Sequence, residues 1–362
     1  TLNRPEVAVY LGRRRFLVAS TAAGGLAVLG GGIGLAGLAR PTTATAGLTV
    51  PVPGDIGPAT PADAGVAVRG VAPFITPNRD FYRVDTALIP PVVDPSTWRL
   101  RIHGMVDREL NLDLASLLAR PSIERDITLT CVSNPVGGPY VGNARWVGIP
   151  LKALLEEAGV QTGADQIVSR SVDGFTVGTP TAIAMDGRDA ILAVGMNGQP
   201  LPVEHGFPVR MLVPGLYGYV SATKWLTDLE LTTFAAYDPY WVARGWKPQA
   251  PIKTMARIDS PAAFVGLATG PVVIGGVAWA QHRGIERVEV KVDDGPWTEA
   301  SLAEVDTLDT WRQWSHPWIA TAGRHSLTVR ATDGTGTTQP EERAEPFPDG
   351  ATGWHSLVVT VS

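Results

Sequence analysis

The sequence predicts an α+β domain followed by an all-β sandwich, and three observations point there. The chain holds 40 Gly and 30 Pro among 362 residues, with many β-branched residues and few charges, a composition that favours strands and loops over long helices. Before residue 254, apolar residues take up helical spacing only in short stretches. Beyond it, apolar and polar residues alternate between turn signals, the pattern of short antiparallel strands.

Residues 1–40 read as a targeting or anchoring segment. Arg13-Arg14-Arg15-Phe16-Leu17 precedes an uncharged, Gly- and Ala-rich stretch from Phe16 to Ala39, and Ala44-Thr45-Ala46 offers small residues for cleavage. This is the pattern of a twin-arginine export signal. The stretch is also long enough to span a bilayer with its arginines on the cytoplasmic side. Its Gly content keeps it weakly hydrophobic, which favours a signal over an anchor. The twin-arginine route carries folded proteins, so the segment points to an exported enzyme loaded with a cofactor beforehand. Net charge is −5; the first forty residues carry five Arg and one Glu, which leaves −9 on the rest. An acidic body argues against nucleic acid as a partner.

Residues 41–70 are rich in Pro, Ala and Thr and read as a linker or extended strap. The α+β domain spans 71–253. Trp98-Arg99-Leu100-Arg101-Ile102 alternates as a strand. The spacing predicts a short helix over Leu112–Ala119, ended before Pro121. It predicts a second over Leu151–Ala158, with Leu151, Leu154, Leu155 and Ala158 on one face and Gly159 as a stop. Val209 to Val213 reads as a buried strand closed by Pro214-Gly215. The sandwich spans 254–362. Val288, Val290 and Val292 alternate before Asp293-Asp294-Gly295, Leu327, Val329 and Ala331 alternate before Asp333-Gly334, and Ser356 to Val361 is a final strand.

Cys131 is the only cysteine, carried by the apolar run Ile127-Thr128-Leu129-Thr130 into the polar Ser133-Asn134. A lone thiol can form no internal disulfide and no Cys-based zinc site. It can be buried filler, a nucleophile, or a single soft ligand to a metal held mainly by something else. Other chemistry-bearing runs are Thr76 to Asp85, Asn143-Ala144-Arg145-Trp146, Met196-Asn197-Gly198-Gln199-Pro200-Leu201-Pro202 leading to His205-Gly206-Phe207-Pro208-Val209-Arg210, and Ala222-Thr223-Lys224-Trp225. His205 and Arg210 stand at the mouth of a predicted strand, where a planar guanidinium suits a phosphate or another anion, and Lys224 adds a point charge. Taken singly, Arg210 paired with an internal carboxylate and His205 satisfied in a turn would explain these residues better.

Together these runs resemble the sulfite oxidase family of molybdopterin oxidoreductases. The resemblance covers nearly everything from residue 70 onward and is most specific from Asn197 to Arg210 and at Lys224-Trp225-Leu226. It implies a sulfite-oxidase-type molybdopterin domain, an immunoglobulin-like dimerisation domain after it, and Mo-molybdopterin as cofactor. It implies that the Cys131 thiolate binds the metal, a soft ligand for a redox-cycling centre. It assigns His205, Arg210 and Lys224, with Ala222 and Thr223 beside them, to the pterin and its phosphate, and Phe81, Tyr82, Arg83, Val84 and Asp85 to the same cofactor. Arg83 is also assigned to an anionic substrate, and Asp173 is a weaker match to a pterin contact.

The chain departs from sulfite oxidases at the substrate. Their arginine pair after the ligand cysteine is replaced by Pro135-Val136-Gly137-Gly138, a pocket tyrosine corresponds to Val194, and the shorter loop before Asn143 leaves a pocket tryptophan without a counterpart. A sulfite dianion needs several convergent donors, so a small oxygen-atom donor or acceptor of lower charge, such as a sulfoxide or N-oxide, fits better. With one cysteine there is no haem-attachment Cys-x-x-Cys-His, so electrons must pass to or from a partner, a cytochrome or a membrane quinone system. True sulfite oxidation is the rival enzyme reading. A cofactor-free surface binding protein is the rival of another class, and a homodimer through the sandwich is a further expectation.

Overall fold

The computed structural model describes residues 48–362. The segment read as an export signal or anchor, 1–40, and the first residues of the predicted linker lie outside the described residues. Among the described residues no helix is long and apolar enough to cross a membrane.

The described chain is mostly β, with helices confined to single turns and one of eight residues. That shifts the α+β expectation toward β. Four sheets form. The first runs Asp55–Ile56, Ile123–Thr130, Val141–Pro150, Ile191–Met196 and Arg210–Leu212 in spatial order, with Gln199–Pro200 folding back on Ile191–Met196. Both its faces are covered, so its strands read as apolar runs rather than alternating ones: every residue of Ile191–Met196 is buried. One face meets the second sheet, ordered Leu110–Asp113, Arg99–Gly104, Leu226–Thr232, Gln166–Ser171 and Thr176–Pro180. Ile149, Leu192 and Met211 pack there with Leu100, Ile102, Ile167 and Leu229. The other face buries Ile127, Leu129, Trp146 and Leu212 beneath Phe81 and Leu201.

The helices follow their caps. Leu151–Ala158 starts after Pro150, buries the four predicted residues and stops where Gly159 turns left-handed at φ 71. The first predicted helix is shorter than expected, Leu114–Leu118. Leu112 and Asp113 instead end the strand Leu110–Asp113, and the Asp113 carboxylate caps the helix by accepting from the Ser116 N–H at 2.8 Å. The predicted strand Val209–Val213 narrows to Arg210–Leu212.

Beyond residue 254 two sheets face each other. One orders Met255–Ser260, Gly270–Trp279, Arg312–Ala320 and Ser301–Leu302; the other orders Gly266–Leu267, His355–Val361, Gly323–Asp333, Ile285–Val292 and Thr298–Glu299. Ile258, Ile274 and Trp314 of the first meet Val288, Val290, Val329 and Val359 of the second in one core. The two halves are not separate: Met255, Val277, Trp279 and Trp311 join the core of the first two sheets. The stretch before residue 70 lies against both halves. Asp55–Ile56 pairs in parallel with Ile123–Glu124, Thr60 Oγ1 donates to Asp126, and the Val66 N–H donates to Gln313.

Candidate functional site

Three of the chemistry-bearing runs are laced together by asparagines. The Asn197 amide donates to the Thr76 carbonyl at 2.9 Å and to Asn78 Oδ1 at 2.8 Å, while its Oδ1 accepts from the Arg145 N–H. Asn143 accepts from the Thr76 N–H through its carbonyl and donates to the Phe74 carbonyl. Asn197 occupies positive φ, 52°, which Asn tolerates better than most residues. These residues fix the segment 76–85 over the first sheet.

That segment closes one wall of a cavity of roughly 330 Å³. Cys131, the first residue past the strand Ile123–Thr130, opens onto it, with Tyr82, Val84, Asp85, Asp173, Arg210, Ala222 and Lys224. Ser133, Ser171, Phe175, Tyr219, Trp225, Trp241 and Trp246 complete much of the lining. Eight of the sequence-predicted residues therefore share one cavity. The other four do not line it. Phe81 lies beneath, stacked on Tyr82 and edge-on to Trp146. His205 is 1% exposed, and its Nε2 donates to the Asn78 carbonyl at 2.8 Å. Thr223 is buried and shares a hydroxyl bond with Ser169. Arg83 remains partly exposed and donates to Asp85 at 3.3 Å; the dipeptide turns Val84, not Arg83, to the cavity.

The electrostatics are those of a buried cationic site. Arg210 is 5% exposed, with one bond from Nη1 to the His205 carbonyl at 3.3 Å and the Trp146 ring 5.7 Å away. Burial lowers its pKa, with Tyr82 and Asp85 opposing. Lys224 pairs with Asp85 and donates to the Glu204 carbonyl at 3.1 Å. Burial and the nearby Arg210 bring it down to about 8 against the pull of Asp85. Burial also pushes the Cys131 thiol up; a 2.9 Å contact with Ser133 Oγ and the charge of Lys224 work the other way. The Tyr82 phenol is held protonated by burial. His205 is brought down to about 4, by burial first and then by Arg210 and Lys224. Its Nε2 carries the proton given to Asn78, so the neutral ring leaves Nδ1 as an acceptor.

Three buried polar atoms here lack a protein partner: Arg210 Nε, His205 Nδ1 and Ser171 Oγ. Buried polar groups are nearly always paired, so unmet donors and acceptors around a cavity mark a place built for a polar occupant.

Sequence reasoning missed Ser171, Phe175, Tyr219 and Trp241. They come from three separated stretches that carry no motif of their own, Ser171 and Phe175 from one hairpin and Tyr219 and Trp241 from elsewhere, and only the fold gathers them. Trp246 carried a signal, since Arg244-Gly245-Trp246 lies in the stretch over which the sequence resembles the family.

Known proteins resemble this chain in family and in fold. A family model described as the oxidoreductase molybdopterin binding domain matches residues 87–241. Rat mitochondrial sulfite oxidase is 30% identical over 317 residues, covering 74% of this chain and 58% of that protein. The uncharacterized oxidoreductase YuiH of Bacillus subtilis (strain 168) is 30% identical over 176 residues, covering 48% of this chain and 85% of that one. The chain thus spans little more than half the length of the sulfite oxidase it matches. Among solved structures, the sulfane dehydrogenase SoxCD from Paracoccus pantotrophus shares the fold, with a TM-score of 0.70 at 23% identity over 81% of this chain and 84% of that one.

Proposed function

From the premise that this chain belongs to the sulfite oxidase family of molybdopterin-dependent oxidoreductases, we propose that it exchanges an oxygen atom with a small neutral substrate, using Cys131 as the protein ligand to molybdenum. One observation carries the reading: the only cysteine opens onto a cavity ringed by a buried guanidinium, an ammonium and unmet hydrogen-bonding atoms. Those residues fit Mo-molybdopterin. Arg210 and Lys224 offer charge to its phosphate, Ser171 offers a hydroxyl, and His205 stands behind the lining, its carbonyl bonded to Arg210. When bound, the cofactor supplies two-electron oxygen-atom transfer, which no side chain here can perform.

The chain's own residues prepare the rest. Lys224, held by Asp85, favours the thiolate at Cys131 against the burial that opposes it. Tyr82 stays protonated and can donate a hydrogen bond into the cavity. The cavity wall of Phe175, Tyr219, Trp225, Trp241 and Trp246 excludes water and favours apolar substituents.

Charge separates this reading from sulfite oxidation, which the names of its relatives suggest. The cations lining the cavity are Arg210 and Lys224, both assigned above to the cofactor, and Arg83, which does not line it, is engaged by the lining residue Asp85. A sulfite dianion would find no free cation, whereas a sulfoxide or N-oxide needs none. Electrons would pass to or from a separate cytochrome or quinone system. The Arg-rich N-terminus supports export or anchoring with the site outside the cytoplasm. The C-terminal pair of sheets we assign as immunoglobulin-like, and a homodimer would use it.

The test is rapid mixing of the molybdenum-loaded protein. Dithionite-reduced protein should reoxidise in seconds with an aryl methyl sulfoxide, and oxidised protein should be reduced slowly by sulfite. Fast reduction by sulfite with no response to the sulfoxide would overturn the substrate assignment.

A further inference from the structure

The strand that delivers Cys131 has an incomplete edge. On one side Ile123–Thr130 pairs with Val141–Pro150 along its length; on the other only Ile123 and Glu124 find a strand, Asp55–Ile56. Past that point, groups from beyond residue 254 complete it. The Thr128 N–H donates to the Asp309 carbonyl at 2.9 Å, and the Thr128 carbonyl accepts from Gln281 Nε2 at 3.1 Å. The same Nε2 donates to Thr130 Oγ1 at 3.0 Å, one residue before the cysteine. The Trp311 N–H donates to Thr128 Oγ1 at 2.7 Å. Downstream of the cysteine, Arg257 Nη1 donates to the Gly138 carbonyl at 2.8 Å.

Gln281 is 0% exposed, and its Oε1 has no partner. The Thr128 carbonyl can only accept, so the amide NH₂ must face it and the oxygen is left unmet. A buried acceptor without a partner is costly, and a merely space-filling residue here would avoid that cost. The position selects for the two bonds to the cysteine-bearing strand.

We propose that Gln281 is a positioning residue for Cys131: through it the C-terminal sheets fix the end of the strand and hence the sulfur. Those sheets then contribute to the geometry of the cofactor site. The inference rests on Cys131 being the metal ligand, but its first test does not.

The test uses the full chain made without the pterin, and the uniqueness of Cys131 makes thiol alkylation a single-site readout. Gln281→Met keeps volume and removes the donor. Its Cys131 should alkylate about tenfold faster, as expected when a buried hydrogen-bond pair that closes the site locally is lost. Val329→Ala, a core change in the C-terminal sheets away from this strand, should lower Tm yet leave the alkylation rate near wild type. In cofactor-loaded protein, Gln281→Met should shift the Mo(V) paramagnetic resonance signal and Val329→Ala should not. Equal alkylation rates in Gln281→Met and wild type, or an equal rise in Val329→Ala, would overturn the proposal. If Gln281→Met does not fold, Arg257→Lys supplies the same comparison: it keeps the charge beside Asp259 but shortens the reach to Gly138, and an unchanged alkylation rate there would count against the proposal. A shifted alkylation rate with a Mo(V) signal indifferent to Cys131→Ser would keep the positioning role and reject the ligand role.

Discussion

Among the described residues, Arg210 is a buried cation bonded only to a carbonyl, with no anion in direct contact to offset it. A buried charge without a full set of partners destabilises the fold by several kcal/mol, a cost that the anionic cofactor proposed above would offset. Arg210→Met should therefore act in opposite directions on two readouts. Tm of the cofactor-free chain should rise, by about 2–4 °C for each kcal/mol relieved, while molybdenum content after purification should fall several-fold. A fall in both would mean that Arg210 serves the fold alone. Arg210 and Lys224, singled out from two separate runs of the sequence, do share the cavity, whereas His205 does not line it. Arg83 was assigned from the same kind of run, yet it does not line the cavity and bonds instead to Asp85, which does: which side chain of an extended segment faces the cavity is not resolved by a sequence match.

At the scale of the element, the turn at Gly206 carries most of the geometry. Gly206 lies at φ 116, and a Cβ there would approach Lys224 Cα and Cβ at 3.0 Å. Its carbonyl accepts from the Trp225 N–H at 3.1 Å, and the Leu226 N–H donates to Val209 at 2.9 Å, so the turn and the lysine segment run side by side. Gly206→Ala should cost about 1–3 kcal/mol from backbone strain and displace Lys224. Molybdenum retention should fall more than in a surface variant of equal Tm, and equal retention would sink this account of the turn. The apolar runs of the first sheet and the helix Leu151–Ala158 could be read from periodicity. The start of the first helix could not, since Leu112 and Asp113 suit both a strand end and a helix entry until pairing with Arg99–Leu100 decides it. Also beyond reach of the sequence was the completion of the Cys131 strand by Gln281 and Asp309, because the contacts span more than 150 residues.

At the scale of the whole molecule, two buried groups give stability opposite pH dependences. His205 is brought from 6.5 to about 4, so the unfolded chain binds its proton first as pH falls. That contribution is intact above pH 6.5 and is lost between 6.5 and 4. Asp306 is raised to about 7 by burial and by the neighbouring Asp126. The folded chain keeps that proton longer, so its contribution declines as pH rises from the ordinary carboxylate range to 7. Asp306→Asn should then raise Tm at about pH 8 and leave it near wild type at about pH 4, since only the ionised form is penalised. An equal shift at both pH values would show that Asp306 does not titrate in this window.

Central to the proposal is Cys131 as the protein ligand to molybdenum. The direct measurement is the Mo(V) paramagnetic resonance signal of wild-type and Cys131→Ser protein, both purified from a host that makes the pterin and both poised with reductant. Comparable folding by circular dichroism is expected, with a Mo(V) signal in the wild type and a clearly shifted or absent one in the variant. Superimposable signals of equal intensity would contradict it.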